Sequence, residues 1–306
     1  MKILITGIDG YIGNSLLYNL NFIKGGSITG INRKICDLTD SKQVNKFFKD
    51  KHFDVVIHCA AVGGSRLKKD DKQVFKSNIS MFENLLHKKD HYNKFIHFGS
   101  GAQHDYPLSP YGLSKKLIAD MINETPNFYN LIIYGVFDEN ELDTRFIKSN
   151  IIRCMNDEPM VIHKDKYMDF FHMKDLVELI KVYINNDNCD KSIECKYEEV
   201  YRLTHIAEMI ALILGKVCKV KINEEGLDKP YIGKNIKLFV EGNFEDRLKQ
   251  TIQNINEKKR DRKAQKESSK NFYSAVVSGA SSGAKDVDAF HSATSFNQNV
   301  NDLYEA

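Results

Sequence analysis

Tyr111 and Lys115 are four residues apart, a spacing that puts both side chains on one face of a helix. An ammonium beside a phenol favours the phenolate and draws the tyrosine's ionisation toward working pH. Such a phenol can give a proton to the oxygen of a carbonyl/alcohol pair, or take one from it. Ser100 closes the apolar run just before this segment and offers a hydroxyl to the same oxygen. Tyr-x-x-x-Lys is common by itself. Its weight here comes from its place, behind a run ending Gly99-Ser100 and directly after Ser109-Pro110, a pair that starts helices.

The elements that must position these side chains alternate. Short apolar β-type runs fall at Lys2–Thr6, Ser27–Ile31, Asp54–Cys59, Lys94–Phe98 and Leu131–Tyr134. Stretches of helical periodicity lie between them at Gly13–Phe22, Ser41–Lys49, Ser77–His87 and Tyr111–Asn123. Strands alternating with helices imply βαβ units, a parallel sheet and right-handed crossovers. The expected fold class is therefore α/β, a doubly wound parallel sheet of Rossmann type with a small mixed C-terminal substrate cap. After about Asp138 the rhythm changes, with helices expected near Arg145–Met155, Lys174–Ile184 and Leu203–Leu214 and short strands at Met160–His163 and Lys219–Ile222. A helix near Phe244–Asn256 closes the expected domain, residues 1–256. The cofactor part covers about 1–137 plus later strands, and the cap mostly 138–256.

Gly7-Ile8-Asp9-Gly10-Tyr11-Ile12-Gly13 follows the first strand and opens the first helix. A glycine-rich turn there lets backbone approach a pyrophosphate, while the helix start offers free N–H groups and a positive dipole end. Gly7 permits the tight turn, Gly10 the close approach and Gly13 the packing of helix on strand. The second strand ends Gly30-Ile31-Asn32-Arg33-Lys34. An acidic residue there would bind an NAD ribose, whereas arginine suits the 2′-phosphate of NADP. The expected cofactor is NADP held through Arg33, with NAD as the alternative; a solvated Arg33/Lys34 surface pair stays open.

The GxxGxxG spacing together with Ser100 and Tyr111-x-x-x-Lys115 resembles the extended short-chain dehydrogenase/reductase family of nucleotide-sugar epimerases, dehydratases and ketoreductases. The resemblance runs from Met1 to about Asn256. It implies Ser100, Tyr111 and Lys115 as catalytic residues, with Lys115 also holding the nicotinamide ribose. It makes Asp37-Leu38 the adenine-contacting pair, Cys59-Ala60-Ala61 the small residues over which the dinucleotide lies, and Asn78 part of a helix bordering the site. Met168–Leu176 resembles the family's RDFxHVxD segment, with His172 and Asp175 as structural hydrogen-bonders. Arg145, in Thr144-Arg145-Phe146, becomes a candidate for the diphosphate of the substrate, a surface salt bridge being the other reading. Homodimerisation through the Tyr111 helix and its neighbour is implied as well.

Departures from the family narrow the reaction. The family's sugar dehydratases carry an acidic pair after the active-site hydroxyl, where this chain has Gly101-Ala102-Gln103. Its epimerase–reductases of the fucose-synthase type use a cysteine and a histidine where Ala102 and Arg145 stand. What remains needs one hydride and one proton: 4-keto reduction, or 4-epimerisation through a transient ketone with tightly held NAD. A catalytically idle dinucleotide-binding subunit is a third reading, opposed by the intact Ser100, Tyr111 and Lys115.

A formal net charge of +3 in 306 residues gives no reason to expect nucleic acid or an anionic membrane as partner. No apolar stretch is long enough to span a bilayer, and the run at the start is too short for a signal peptide. Neither HExxH nor a Cys/His cluster is present, so no metal is expected. Six scattered cysteines without a CxxC pair predict free thiols and a reducing, cytoplasmic setting. Residues 257–306 form a charged and then Ser/Ala/Gly-rich tail. A frayed helix followed by disorder is expected there, with a docking or oligomerisation segment as the alternative.

Overall fold

The computed structural model describes residues 1–20, 26–65, 68–234 and 242–280, with side chains through Ser269. In chain order the elements of the first half are β1 (Lys2–Thr6), α1 (Tyr11–Leu20), β2 (Ser27–Ile31), α2 (Ser41–Phe48), β3 (Phe53–His58), α3 (Lys72–Leu86), β4 (Tyr92–Ser100), α4 (Ala102–Asp105), α5 (Pro110–Glu124) and β5 (Phe128–Ile133). There follow β6 (Val136–Phe137), α6 (Phe146–Met155), β7 (Met160–Asp165), β8 (Tyr167–Met168), β9 (Phe171–His172), α7 (Met173–Asn185), β10 (Ser192–Cys195), β11 (Tyr201–Arg202), α8 (Leu203–Leu214), β12 (Val220–Leu227) and α9 (Phe244–Ala280). Of the first expected helix, Asn21 and Phe22 lie outside the described residues.

Six strands form one parallel sheet in the order β10-β5-β4-β3-β1-β2. Strands covered on both faces need apolar residues throughout, and Ile3-Leu4-Ile5 and Val55-Val56-Ile57 are buried without alternation. Helices α3 and α5 pack together on one face of the sheet, while α1 packs with α7. Phe48, Phe82, Phe95 and Phe128 fill the core with Leu4 and Val56. Aspartates start two of the helices: Asp40 accepts the N–H groups of Lys42 and Gln43, and Asp71 those of Gln73 and Val74. The strand order reverses between β1 and β3, so the ends of those strands open a crevice, the place where such sheets bind ligands.

The strand β10 departs from expectation, because its four residues Ser-Ile-Glu-Cys carry no apolar run. Its charge is tolerated because Glu194 accepts the Tyr134 hydroxyl at 2.8 Å and the Lys234 N–H at 2.7 Å. Thus α7, read from sequence as cap, packs with α1, and β10 joins β5 in the parallel sheet as one of the later strands. The cap itself holds three two-stranded ribbons, β7 with β12, β8 with β11 and β6 with β9, beside α6 and α8.

The expectation of free thiols throughout is corrected at one pair. Cys154 in α6 and Cys218 before β12 form a disulfide, their Cα atoms 5.9 Å apart across 64 residues of chain. The pairing of β12 with β7 delivers Cys218 to α6, a tertiary event that cysteine spacing cannot announce. Cys36, Cys59, Cys189 and Cys195 are free thiols.

The chain divides into two compact units, Met1–Gln253 and Asn254–Ala306. In the second unit the helix continues to Ala280, with every residue from Glu257 to Ser269 exposed. The tail beyond Ala280 lies outside the described residues.

Candidate active site

Ser100 ends β4, and Tyr111 sits in the first turn of α5. Ser109 caps that helix by accepting the Gly112 N–H at 3.0 Å, with Pro110 in its first turn. Lys115 follows one turn later, its Nζ 5.7 Å from the centre of the Tyr111 ring. Ser100 Oγ accepts the Ala102 N–H at 3.2 Å and lies 3.3 Å from the Tyr231 hydroxyl. Burial pushes the Tyr111 phenol up to about 12, against a hydrogen bond from Ser100 that draws it down. The phenol is therefore protonated at neutral pH. Burial also brings Lys115 down to about 8.

Lys115 Nζ donates to the Phe98 carbonyl at 2.6 Å and stands 3.4 Å from His97 Nε2. His97 stacks on His58 with ring centres 5.5 Å apart, and His58 Nδ1 meets Thr6 Oγ1 at 2.8 Å. A buried polar string thus crosses β4, β3 and β1 beneath the site. Burial holds both imidazoles well below their usual range, so both are neutral at working pH. Neither histidine was singled out from sequence, since each lies in an apolar run that predicts a strand interior. Tyr231 was missed too, because it reaches the site from 131 residues along the chain.

The glycine turn lies at the β1/β3 crevice. Gly7 has φ of +69°, and a Cβ there would stand 2.6 Å from the Ala60 amide nitrogen. A Cβ on Gly13 would stand 2.3 Å from the Gly7 carbonyl oxygen. The bond from Asn14 N–H to Gly10 O, 2.9 Å, is an i→i−4 bond at the start of α1. The N–H groups of Tyr11, Ile12 and Gly13 belong to that first turn, where a helix leaves its donors without intrahelical acceptors. Asp9 and Gly10 are exposed, so a bare, donor-rich concavity faces solvent. The residues fit a dinucleotide: the turn has no side chain where a diphosphate would rest, and Tyr111 and Lys115 stand on α5, which follows the interior strand β4 of the same sheet.

The other predicted contacts take definite places. Tyr11 donates to Asp138 Oδ1 at 2.7 Å, and Asp9 accepts from Asn32 Nδ2 at 3.1 Å. Ala60 donates its N–H to Thr6 Oγ1 at 3.2 Å, while Cys59 and Ala60 are half-buried and Ala61 is exposed. Leu38 packs its side chain into the core. Arg33 is 83% exposed, its Nε 2.9 Å from Asp37 Oδ2. Asn78 spends its amide on the loop after β3, accepting from Val62 N–H at 2.8 Å and donating to Val62 O at 3.0 Å and Ser114 Oγ at 3.1 Å. Arg145 is exposed at the start of α6, and its charge lowers the Tyr111 pKa, so it is brought to the same side as the phenol. His172 accepts the Lys174 N–H at 3.2 Å, and Asp175 pairs with Arg247 and Tyr197, both structural duties. Among the described residues no group of three or more His, Cys, Asp or Glu is arranged to hold a metal ion. No helix of these residues is long and apolar enough to cross a membrane.

Residues 3–195 match the model of the NAD dependent epimerase/dehydratase family. The chain belongs to that family. As a member of the NAD-dependent epimerase/dehydratase family it is an NAD(P)-dependent enzyme. It is similar to CDP-abequose synthase of Yersinia pseudotuberculosis, 24% identical over 213 residues that cover 61% of this chain and 75% of the relative. Its fold matches GDP-mannoheptose C4 reductase from Campylobacter jejuni with NADP bound, at a TM-score of 0.69 and 18% identity, covering 82% of this chain and 97% of that one. It also matches UDP-glucuronic acid 4-epimerase from Bacillus cereus with NAD, at a TM-score of 0.64 and 20% identity, covering 83% and 96%.

Proposed function

We propose that this enzyme is an NADPH-consuming nucleotide-sugar 4-ketoreductase. The observation that carries the reading is Tyr111 in the first turn of α5 with Lys115 Nζ 5.7 Å from its ring centre, behind Ser100 at the end of β4 and with Gly101-Ala102-Gln103 in place of a carboxylate pair. The hydride for the carbonyl carbon would come from a reduced nicotinamide when one is bound. Tyr111 gives its proton to the carbonyl oxygen, and the phenolate it leaves takes a proton back from solvent. Ser100 donates a hydrogen bond to the same oxygen as negative charge grows on it. Lys115 supports the phenolate with its ammonium, held in low dielectric by burial.

The nucleotide-sugar part of the reading draws on the relatives, whose names include an abequose synthase and a C4 reductase. Arg145 supports it as an exposed guanidinium on the phenol's side, suited to a diphosphate. The exposed Arg33 and the absence of an acid at the end of β2 favour NADPH over NADH. Net consumption of reduced cofactor follows, unlike in an epimerase that regenerates its own NAD.

The test is a panel of 4-keto-6-deoxyhexoses linked to CDP, GDP, UDP or dTDP, each assayed with NADPH and NADH by loss of reduced-nicotinamide absorbance. At least one should be reduced, faster with NADPH. Tyr111→Phe should lower kcat by about 10²- to 10⁴-fold while leaving NADPH affinity unchanged. Protein that purifies with bound NAD and consumes no NADPH would replace this reading with the epimerase one.

A further inference from the structure

Tyr231 comes from the stretch between β12 and α9, far in sequence from the Ser100–Lys115 segment. We infer that it is a positioning residue for the reaction, its hydroxyl donating to Ser100 Oγ so that the single serine proton is aimed at the substrate oxygen. The inference rests on the reductase reading above.

A hydroxyl has one proton to give and two lone pairs to fill. On Ser100 the Ala102 N–H fills one lone pair from 3.2 Å. In the reductase reading the Ser100 proton goes to the substrate carbonyl oxygen, which has no proton to give in return. Of the two orientations open to the 3.3 Å contact with Tyr231, only donation by the tyrosine is then left. With both lone pairs occupied, the serine rotor has one direction left for its proton. Without the Tyr231 hydroxyl that rotor regains an empty lone pair and a second orientation.

The placement of Tyr231 is built. Its N–H donates to the Tyr167 carbonyl at 2.9 Å, and its own carbonyl accepts the Asp169 N–H at 3.1 Å. Two residues on, the Gly233 N–H donates to Asp169 Oδ2 at 2.7 Å. Asp169 is steadied in turn by Lys196, 3.7 Å away and equally buried. The Tyr231 ring stands edge-on to Tyr134 with centres 5.1 Å apart. Gly101 leaves it room, since a Cβ there would come within 2.9 Å of the ring carbon that bears the hydroxyl. A ring needed only for packing would keep its place as phenylalanine, so the hydroxyl is the part to test.

The experiment is a double-mutant cycle of Tyr231→Phe and Ser100→Ala. Its substrate is the 4-keto-6-deoxyhexose nucleotide turned over fastest in the panel, with NADPH and a Tyr111→Phe control. Tyr231→Phe should lose roughly tenfold in kcat, the scale of one hydrogen bond, with KM and NADPH affinity nearly unchanged. In the Ser100→Ala background it should cost nothing further, because the phenol acts only through the serine. Melting midpoints of the four ligand-free proteins should show the same coupling. Native kcat in Tyr231→Phe overturns the inference even if the midpoints are coupled, since the contact is then structural only. An equal additional loss in the Ser100→Ala background overturns it too. Native turnover in the Tyr111→Phe control would remove the reductase reading, and this inference with it.

Discussion

Lys115 is the residue at which protonation has the most leverage. Burial lowers its pKa from the ordinary lysine value to about 8, so its charge is lost within an accessible range. Reduction leaves a phenolate on Tyr111, which the ammonium stabilises and the free amine does not. The sign follows directly: kcat should hold below about pH 8 and fall as pH rises through it. Initial rates at saturating substrate check this, and a level profile from about pH 7 to about pH 10 would remove Lys115 from the proton economy. At this scale the sequence was legible wherever partners are near neighbours along the chain. Tyr111 and Lys115 share a helix face, and Gly7, Gly10 and Gly13 share a turn. Tyr231, His97 and the Asp138 partner of Tyr11 were not legible. Strand pairing brings His97 close, and chain separations of 131 and 127 residues are closed only by the folded cap.

Among the elements, the β1–turn–α1 unit has the least tolerance. Gly13 faces the Gly7 carbonyl oxygen so closely that an added Cβ would stand 2.3 Å away, with backbone on both sides and no side chain to yield. Gly13→Ala should therefore push α1 off its strand, lower stability by about 1–3 kcal/mol and weaken NADPH binding. Thermal melts and a fluorescence titration with NADPH would read both. Unchanged values would mean that the turn does not set the cofactor cradle. The bounds of β1, β2 and α8 could be read directly, because each is an apolar run closed by a turn or cap signal such as Gly215, at φ of +63°. The strand β10 could not. A four-residue edge strand with a buried glutamate has neither period nor apolar run, and Tyr134 and the Lys234 N–H help make it acceptable in place.

For the main unit as a whole, one ion pair fastens the start of α9 to the fold. Arg247 donates from Nε to Asp175 Oδ2 at 2.8 Å, and Tyr197 donates its hydroxyl to the same carboxylate. Asp175 is almost fully buried, so loss of the arginine leaves a charge without its counterion. Arg247→Met should cost about 3 kcal/mol, read as a fall in urea midpoint, and Asp175→Asn in the same protein should restore part of it. The α/β class was legible at this scale from the alternation of elements. The Cys154–Cys218 bridge was not, since only the β7–β12 pairing carries Cys218 to α6.

That ribbon has a further consequence. Every residue of β12 is exposed, and among the described residues the strand pairs only with β7, leaving its outer backbone edge bare. An unguarded edge recruits other extended chains. Here Lys221, Glu224 and Glu225 line the strand, and Gly226, with φ of +85°, lies where the register slips between Glu224 and Leu227. Glu224 also pairs within the ribbon, with His163 at 2.9 Å and Lys164 at 3.8 Å. A second extended chain would meet charged side chains and a broken register there, so this edge works against strand-to-strand association of the enzyme.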